Sequence, residues 1–229
     1  MIRLFQPLSA DEAAALAYRA LHDADEDQRR NRKQASRYPV GCTLGALDRF
    51  HAIQRCQPLD ASYAVKQQGV RLAPGLERKV VWDDIRCGLT MQAPEWVSTY
   101  TFTRETSPGC KRLLPATNSE PIVLVVNARH LRGLLWTHMV LERVRCSDRG
   151  VTWRTVPGYH FLDGEESFYL LPDNQDEAAL YAVCSVSRAS HWLARLASPY
   201  VRLCQHRFLV ESMQFLQQRW NTLSKQKRS

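Results

Sequence analysis

The side chains that could perform acid–base or metal chemistry are dispersed in this sequence. Carboxylates stand side by side at Asp83–Asp84 and at Glu165–Glu166. Because neighbouring residues of a helix or strand point in different directions, neither pair predicts an acid–base dyad. His130 and His138 lie close in sequence without an adjoining carboxylate, which favours two exposed strand ends over a pair of metal ligands. We therefore expect no metal site.

Nucleophilic and nucleotide chemistry have no local signature in the sequence. The seven cysteines lie far apart and form no C-x-x-C pair, and neither a G-x-S-x-G elbow nor a glycine-rich phosphate loop is present. An odd number of dispersed cysteines is typical of reduced thiols in the cytoplasm or an organelle matrix. No residue is therefore predicted to be catalytic, no cofactor is expected, and a non-enzymatic role is favoured.

Aromatic side chains are the more informative set. They come from several predicted strands and from the last predicted helix. The residues are Tyr100, Phe102, Trp136, Trp153, Phe168, Tyr181 and Phe208. Two interpretations stay open, because such residues either fill an ordinary core or line a cavity that binds an apolar ligand.

The positive charge is concentrated in two short stretches. The chain carries a net charge of +8. The first stretch contains Arg29, Arg30, Arg32, Lys33 and Arg37, and the second contains Arg219, Lys225, Lys227 and Arg228. Outside these stretches the charges nearly balance. Each stretch is either a solvated flank or a docking patch for RNA, an anionic membrane surface or an acidic protein.

The hydrophobic pattern predicts a mixed chain with a sheet between helices. Ser9 and Glu12 have the spacing of a capping box at the start of a first helix, and apolar spacing predicts a second helix over 74–89 and a long one over 199–220. Strands are predicted over 49–56, 96–103, 122–130, 135–144, 151–156, 166–171 and 178–187. The short turns between the last six predict an antiparallel sheet in meander order.

The composition agrees with a soluble globular protein. Hydrophobic residues make up 45% of the 229 residues and charged residues 24%, which is close to the average for globular proteins. No apolar run approaches the ~20 residues of a membrane-spanning helix. The first residues lack the apolar core of a secretory signal, and the following region is too acidic for a transit peptide.

Three blocks of the sequence resemble a known family. The segments 38–43, 156–168 and 186–202 are similar to motifs of the domain-of-unknown-function family numbered nineteen-ninety, within the helix-grip superfamily of Bet v 1 and START proteins. The quoted residues are Tyr38-Pro-Val-Gly-Cys-Thr43, Val156-Pro-Gly-Tyr159, Gly164-Glu-Glu-Ser-Phe168, Val186-Ser-Arg188, His191-Trp-Leu-Ala-Arg-Leu196 and Pro199-Tyr-Val-Arg202. The resemblance implies an α+β helix-grip fold, in which a curved antiparallel sheet wraps around a long C-terminal helix.

The charge pattern and the resemblance together predict an organisation and a role. We expect an N-terminal helix and basic loop over 1–37, a helix-grip domain over 38–220 and a basic tail over 221–229. Glu166 and Arg188 lie in the family-like blocks and are polar site candidates, although a mutual ion pair would explain both. The favoured function is binding of a hydrophobic, lipid-like molecule between sheet and helix. The alternatives are a structural or assembly role through the basic segments, for instance on a ribonucleoprotein, and a cyclase-like or hydrolase-like enzyme.

Overall fold

The chain folds around a single antiparallel sheet with helices on both faces. The computed structural model describes residues 2–4, 6–30, 64–72, 78–91, 94–105, 113–116, 120–147, 150–172, 179–190 and 192–226. The strands are β1 (Ile2–Leu4), β2 (Ala64–Arg71), β3 (Val97–Arg104), β4 (Leu113–Pro115), β5 (Val123–His130), β6 (Leu135–Cys146), β7 (Gly150–Thr155), β8 (Leu162–Pro172) and β9 (Ala179–Ala189). The helices are α1 (Ala10–Arg30), α2 (Arg78–Arg86), α3 (Trp192–Leu196) and α4 (Ser198–Gln226).

Consecutive strands pair along most of the sheet. The order is β2-β9-β8-β7-β6-β5-β3-β4, with β1 added on β6, and every pair is antiparallel. From β5 to β9 each strand therefore pairs with the next one in the chain, as the short turns predicted. The register of β6 and β7 shifts between Arg143 and Arg145, a bulge of the kind that increases strand twist.

The face of the sheet that we call the outer face packs against α1. Phe102, Val123, Val125 and Val140 form one buried cluster with Ala13, Leu16, Ala17 and Ala20 of this helix. The helix begins as predicted, because the Ser9 backbone N–H donates to the Glu12 carboxylate at 2.8 Å and the Glu12 N–H donates to Ser9 Oγ at 3.3 Å. Small alanines let the helix lie close to the strands.

The opposite face, which we call the inner face, packs against α2 and α4. Its cluster joins Leu124, Trp153, Phe168 and Tyr181 of the strands to Leu209, Met213, Leu216 and Trp220 of α4. The edge of the Tyr181 ring contacts Trp220, with 5.3 Å between ring centroids. The long C-terminal helix thus lies across the inner face, and the predicted helix-grip architecture is confirmed.

Several elements differ from the sequence-based expectation. Helix α1 continues through the acidic run to Arg30, α2 ends at Arg86 before the predicted end at Leu89, and α4 extends beyond Trp220 to Gln226. The strand β2 was not predicted, because Lys66-Gln-Gln-Gly69 lacks apolar alternation. The predicted strand over 49–56 and turn over 38–43 lie outside the described residues, as do Arg32, Lys33 and Arg37.

None of the helices in the described ranges combines the length and the apolar character that crossing a bilayer requires.

Candidate functional site

A cavity of about 290 Å³ lies between the inner face and the first half of α4. Strands β5 to β9 contribute its floor, and α3 with the first turns of α4 forms its roof. Apolar side chains provide most of the wall. They include Ala128, Met139, Trp153, Leu193, Phe208 and Leu209.

Small residues on β8 and β9 create this space. Gly164, Ser185 and Ser187 line the cavity and contribute little side-chain volume. At Gly164 a Cβ atom would lie 2.1 Å from the Val186 carbonyl oxygen, so the close approach of the two strands excludes any side chain there. The inner face therefore carries only small side chains at one end, and α4 passes over the space that they leave.

Polar contacts hold the first half of α4 above the gap. Arg202 Nη1 donates to Ser187 Oγ at 3.1 Å, and Gln205 Nε2 donates to the same oxygen at 3.0 Å. One turn further on, the Arg207 guanidinium lies 5.4 Å from the centroid of the Trp96 ring, and Trp96 Nε1 donates to Glu211 at 2.7 Å. These contacts fix the roof without filling the cavity.

The far half of α4 is fastened differently. Asp84 of α2 accepts hydrogen bonds from Arg219 Nε at 2.8 Å and Nη2 at 2.9 Å, and from Trp220 Nε1 at 3.1 Å. Hydrogen bonding to Asp84 raises the pKa of Arg219. Here the helix packs directly on buried residues, so the cavity is confined to its first half.

His130 connects the sheet to α4 at one side of the cavity. Its Nδ1 lies 3.1 Å from Tyr200 Oη, and its Nε2 lies 2.9 Å from Thr137 Oγ1. Burial lowers the pKa of His130, which favours the neutral form of the ring. The adjoining turn adopts left-handed backbone angles at Leu131 and Arg132, with φ of 48° and 58°.

Exposed apolar side chains surround this side of the cavity. Trp192 and Leu196 of α3 are 61% and 74% exposed, and Leu131 of the neighbouring turn is 63% exposed. Leu193, also of α3, lines the cavity and is 40% exposed. The apolar wall therefore continues to the protein surface.

Glu166 is an acidic side chain on the inner wall. Its register partners are Trp153 on β7 and Ser185 on β9, both of which line the cavity. Residues directly opposite each other on adjacent strands share a face, so Glu166 projects to the same side. Burial raises its pKa to about 7. The carboxyl group is therefore close to half-protonated near neutral pH.

The neighbouring carboxylate has a different environment. Glu165 points to the outer face, where it accepts hydrogen bonds from Arg154 Nε at 2.8 Å and Nη2 at 2.6 Å. The alternation of side chains along β8 therefore separates the two acids. This agrees with the expectation that they form no dyad.

His160 is a second titratable group of the cavity wall, and the sequence did not single it out. Its Nδ1 accepts a hydrogen bond from the Leu162 N–H at 2.8 Å. Burial lowers its pKa to about 4. The neutral ring consequently carries its proton on Nε2. No sequence signal marks this residue, since it lies in the turn between β7 and β8.

The aromatic residues that the sequence predicts for a ligand site lie in different parts of the structure. Trp153 and Phe208 line the cavity. Phe168 and Tyr181 share the inner face but belong to the buried core beside it. The sequence predicts one site for these four residues, and the structure brings them to the same side of the sheet.

The other three predicted lining residues require a correction. Tyr100 and Phe102 pack with α1 on the outer face, where Tyr100 Oη donates to the Leu8 carbonyl at 3.1 Å. Trp136 alternates with Leu135 and Thr137, which line the cavity, so its side chain lies on the other face. The alternation along β3 and β6 therefore removes all three from the cavity.

Two further polar expectations are corrected. Arg188 does not pair with Glu166, because its register partner is Asp163, whose carboxylate lies 3.0 Å from Arg188 Nε. His138 is buried, not exposed, and its Nδ1 lies 2.8 Å from Asn127 Oδ1. Within the described ranges, no three potential ligands cluster as a metal site would require.

The comparisons with known proteins agree with this architecture. A family model for a domain of unknown function, DUF1990, matches residues 50–215. No curated protein sequence matches the chain. The fold is similar to that of a START superfamily protein from Mycobacterium smegmatis, with a TM-score of 0.50 at 12% sequence identity, over 69% of this chain and 98% of that one.

Two more solved structures are similar at lower scores. A protein from Thermus thermophilus has a TM-score of 0.49 at 12% identity, over 71% of this chain and 99% of its own. Major latex-like protein 151 from Panax ginseng has a TM-score of 0.45 at 12% identity, over 69% of this chain and 98% of its own. Because the family model covers most of the sequence, the chain belongs to the DUF1990 family and has the helix-grip fold of START superfamily proteins.

Proposed function

We propose that this protein binds a small apolar ligand in the cavity beneath α4. The observation that carries the proposal is the cavity itself, an apolar space in a part of the sheet where glycine and serine replace larger core residues. Folded proteins normally fill such a space, because each unfilled volume weakens packing. A cavity that is held open by specific polar contacts of the roof is typical of a binding site.

The size of the cavity favours a modest ligand. Its volume of about 290 Å³ lies at the lower end of the ~300–1,000 Å³ that is usual for ligand pockets. A short lipid-like chain or a compact ring system fits this range better than a long-chain lipid. The exposed apolar residues Leu131, Trp192 and Leu196 provide a route of entry that keeps such a molecule away from water.

Titration with an uncharged fluorescent apolar probe, N-phenyl-1-naphthylamine, tests the proposal. We expect saturable binding with a rise in probe fluorescence. The substitution Ala128→Leu places extra side chain in the cavity and should weaken binding at least tenfold. Ala15→Leu, at an exposed position of α1, is the matched control and should bind like the wild type. Absent binding, or equal binding by the Ala128→Leu variant, would refute the proposal.

The alternative docking role concerns the basic stretch 29–37. Most of this stretch lies outside the described residues, so the role stays a prediction. The enzymatic alternative also stays a prediction, and no residue is assigned to it.

A further inference from the structure

Glu166 places an acidic group in an otherwise largely apolar cavity. Its neighbours across the sheet are the Trp153 indole and the small Ser185. Trp153 is fully buried, and Ser185 lines the cavity with Glu166. A carboxylate is expensive to enclose in apolar surroundings unless a cation or several hydrogen bonds compensate it. The cavity wall therefore contains an acidic group that needs a cation or several hydrogen-bond donors to compensate its charge.

The chain does not supply that partner from its described residues. Burial is the cause of the raised pKa of Glu166, without a contribution from a nearby cation. Arg188 is engaged by Asp163 at 2.9 Å, and Arg202 is held at Ser187 and Gln205. Arg154 is bound to Glu165 on the opposite face. These cations of the neighbouring strands and of α4 are therefore directed to other groups.

Two further polar atoms next to Glu166 are also buried without a hydrogen bond. Within the described part of the chain, Trp153 Nε1 and Tyr181 Oη have no partner. Tyr181 lies close enough that the charge of Glu166 contributes to raising its pKa, after burial. Buried polar atoms are almost always hydrogen-bonded in folded proteins. Glu166 lines the cavity, whereas Tyr181 lies in the core beside it. The unpaired Glu166 carboxyl on the cavity wall therefore indicates a polar group that arrives from outside the chain.

We propose that Glu166 anchors the polar head of the ligand, and that the ligand is a small apolar amine whose ammonium group binds the Glu166 carboxylate inside the cavity. This inference rests on the proposed function. An ammonium group compensates the enclosed negative charge, which a hydroxyl group does not. A carboxylate head would be repelled by Glu166 and would have to enter a wall whose neighbouring arginines are already engaged.

Displacement of N-phenyl-1-naphthylamine by three chains of equal length tests the head-group choice. The competitors are octylammonium, 1-octanol and octanoate at pH 8, where Glu166 is mostly ionised. We expect octylammonium to displace the probe at a concentration at least tenfold lower than 1-octanol, and octanoate to be the weakest. Equal displacement by the three, or the strongest displacement by octanoate, would overturn the inference and leave apolar binding standing.

A matched pair of variants assigns the preference to one residue. Glu166→Gln should reduce the preference for octylammonium over 1-octanol to less than threefold, while binding of the uncharged probe is retained. Glu165→Gln removes the adjacent acid on the outer face and should leave the preference unchanged. A preference that survives Glu166→Gln, or that disappears in Glu165→Gln, contradicts the assignment. Failure of the uncharged probe to bind the wild type would refute both the proposed function and this inference.

Proton release gives a second test that needs no variant. At pH 7, octylammonium should displace the proton from protonated Glu166, whereas 1-octanol should not. Calorimetric titration in two buffers of different ionisation enthalpy measures this release. Burial moves the pKa values of the other groups in and beside the cavity away from this pH, since it raises the pKa of Tyr181, Tyr200 and Cys204 and lowers that of His130 and His160. Equal proton release by the amine and the alcohol would contradict the inference.

Discussion

The two faces of the sheet bury similar strands under helices, yet they are packed in different ways. On the outer face, α1 presents Ala13, Leu16 and Ala17 to a continuous layer of valines and Phe102. On the inner face, α4 crosses a region with Gly164 and Ser185 and encloses a cavity. The outer face is thus packed continuously beneath α1, whereas the inner face combines a large buried cluster with a cavity at one end. We expect stability to depend on the two buried clusters and, under the proposed function, binding to depend on the residues of the cavity.

The largest expected effect tests whether the outer face is solidly packed. Leu16 is 1% exposed beneath α1, and replacing such a leucine with alanine removes contacts and leaves a cavity. We expect Leu16→Ala to lower the free energy of unfolding by roughly 2–5 kcal/mol in chemical denaturation. Leu203→Ala, at a position that is 61% exposed, should change it by less than about 0.5 kcal/mol. Similar losses in both variants would show that the outer face is not packed as described.

The next prediction concerns the acid of the inner face. The pKa of Glu166 rises from 4.5 to about 7 on folding, so its contribution to stability is complete below about pH 4.5 and is lost as the pH rises through 7. His160 acts in the opposite direction, because its pKa falls from 6.5 to about 4 and its contribution is lost as the pH falls. The two effects oppose each other in the wild type.

The substitution Glu166→Gln separates the effect of Glu166 on stability from that of His160. The unfolding free energy of the wild type relative to this variant should fall by roughly 3 kcal/mol between pH 4 and pH 8, at ~1.4 kcal/mol per pKa unit. Denaturation curves of both proteins across this range measure the difference. A constant difference across the range would show that Glu166 is not enclosed.

A matched pair of substitutions by a larger side chain compares the two faces directly. Ala13 on the outer face and Ala128 on the inner face are almost completely buried, at 0% and 2% exposure, but only Ala128 lines the cavity. We expect Ala13→Leu to cost about 1–3 kcal/mol through overpacking, and Ala128→Leu to cost less than about 1 kcal/mol. Thermal and chemical denaturation measure both. If the inner variant loses more stability than the outer one, the comparison of the faces is wrong.

The smallest expected effect concerns the fastening of α4 away from the cavity. Asp84→Asn weakens three hydrogen bonds from Arg219 and Trp220, and we expect a loss of roughly 1–2 kcal/mol, since part of this contact is exposed to water. Asp83→Asn, at the exposed neighbouring position, is the control and should be nearly neutral. Binding of the apolar probe should be retained in both. Weaker probe binding in Asp84→Asn alone would show that this end of the helix shapes the cavity.

The sequence predicts the fold better than the site, and individual residues show why. Alternating apolar residues identify β3 and β5 to β9, and the apolar face of α4 requires a sheet against which it can be buried. The strand β2 escapes prediction because hydrogen bonds to β9, and not apolar alternation, hold Lys66-Gln-Gln-Gly69. The apolar pattern of a segment therefore identifies strands that bury side chains. It does not identify strands that are held mainly by backbone hydrogen bonds to a neighbour.

The errors in the site have a related physical cause. A strand displays two faces, and nothing local distinguishes the one beneath α1 from the one beneath α4. Phe102 and Phe168 therefore look alike in sequence, although they end on opposite faces. The pairing of Arg188 with Asp163 instead of Glu166 follows from the register of β8 and β9, which only the assembled sheet determines. Glu166 lies on the cavity wall, but the predicted ion pair with Arg188 is not formed.

Native mass spectrometry tests the central claim most directly. The protein is purified under non-denaturing conditions and weighed intact against its chain mass of 26.3 kDa. We predict a bound species that exceeds the chain mass by one small organic molecule, that is lost on denaturation, and that is absent from the Ala128→Leu variant. After stripping, the wild type should take up one added octylammonium and the Ala128→Leu variant none. A wild-type protein that carries no small molecule and takes up none when one is offered would contradict the account of the inner face as a binding site.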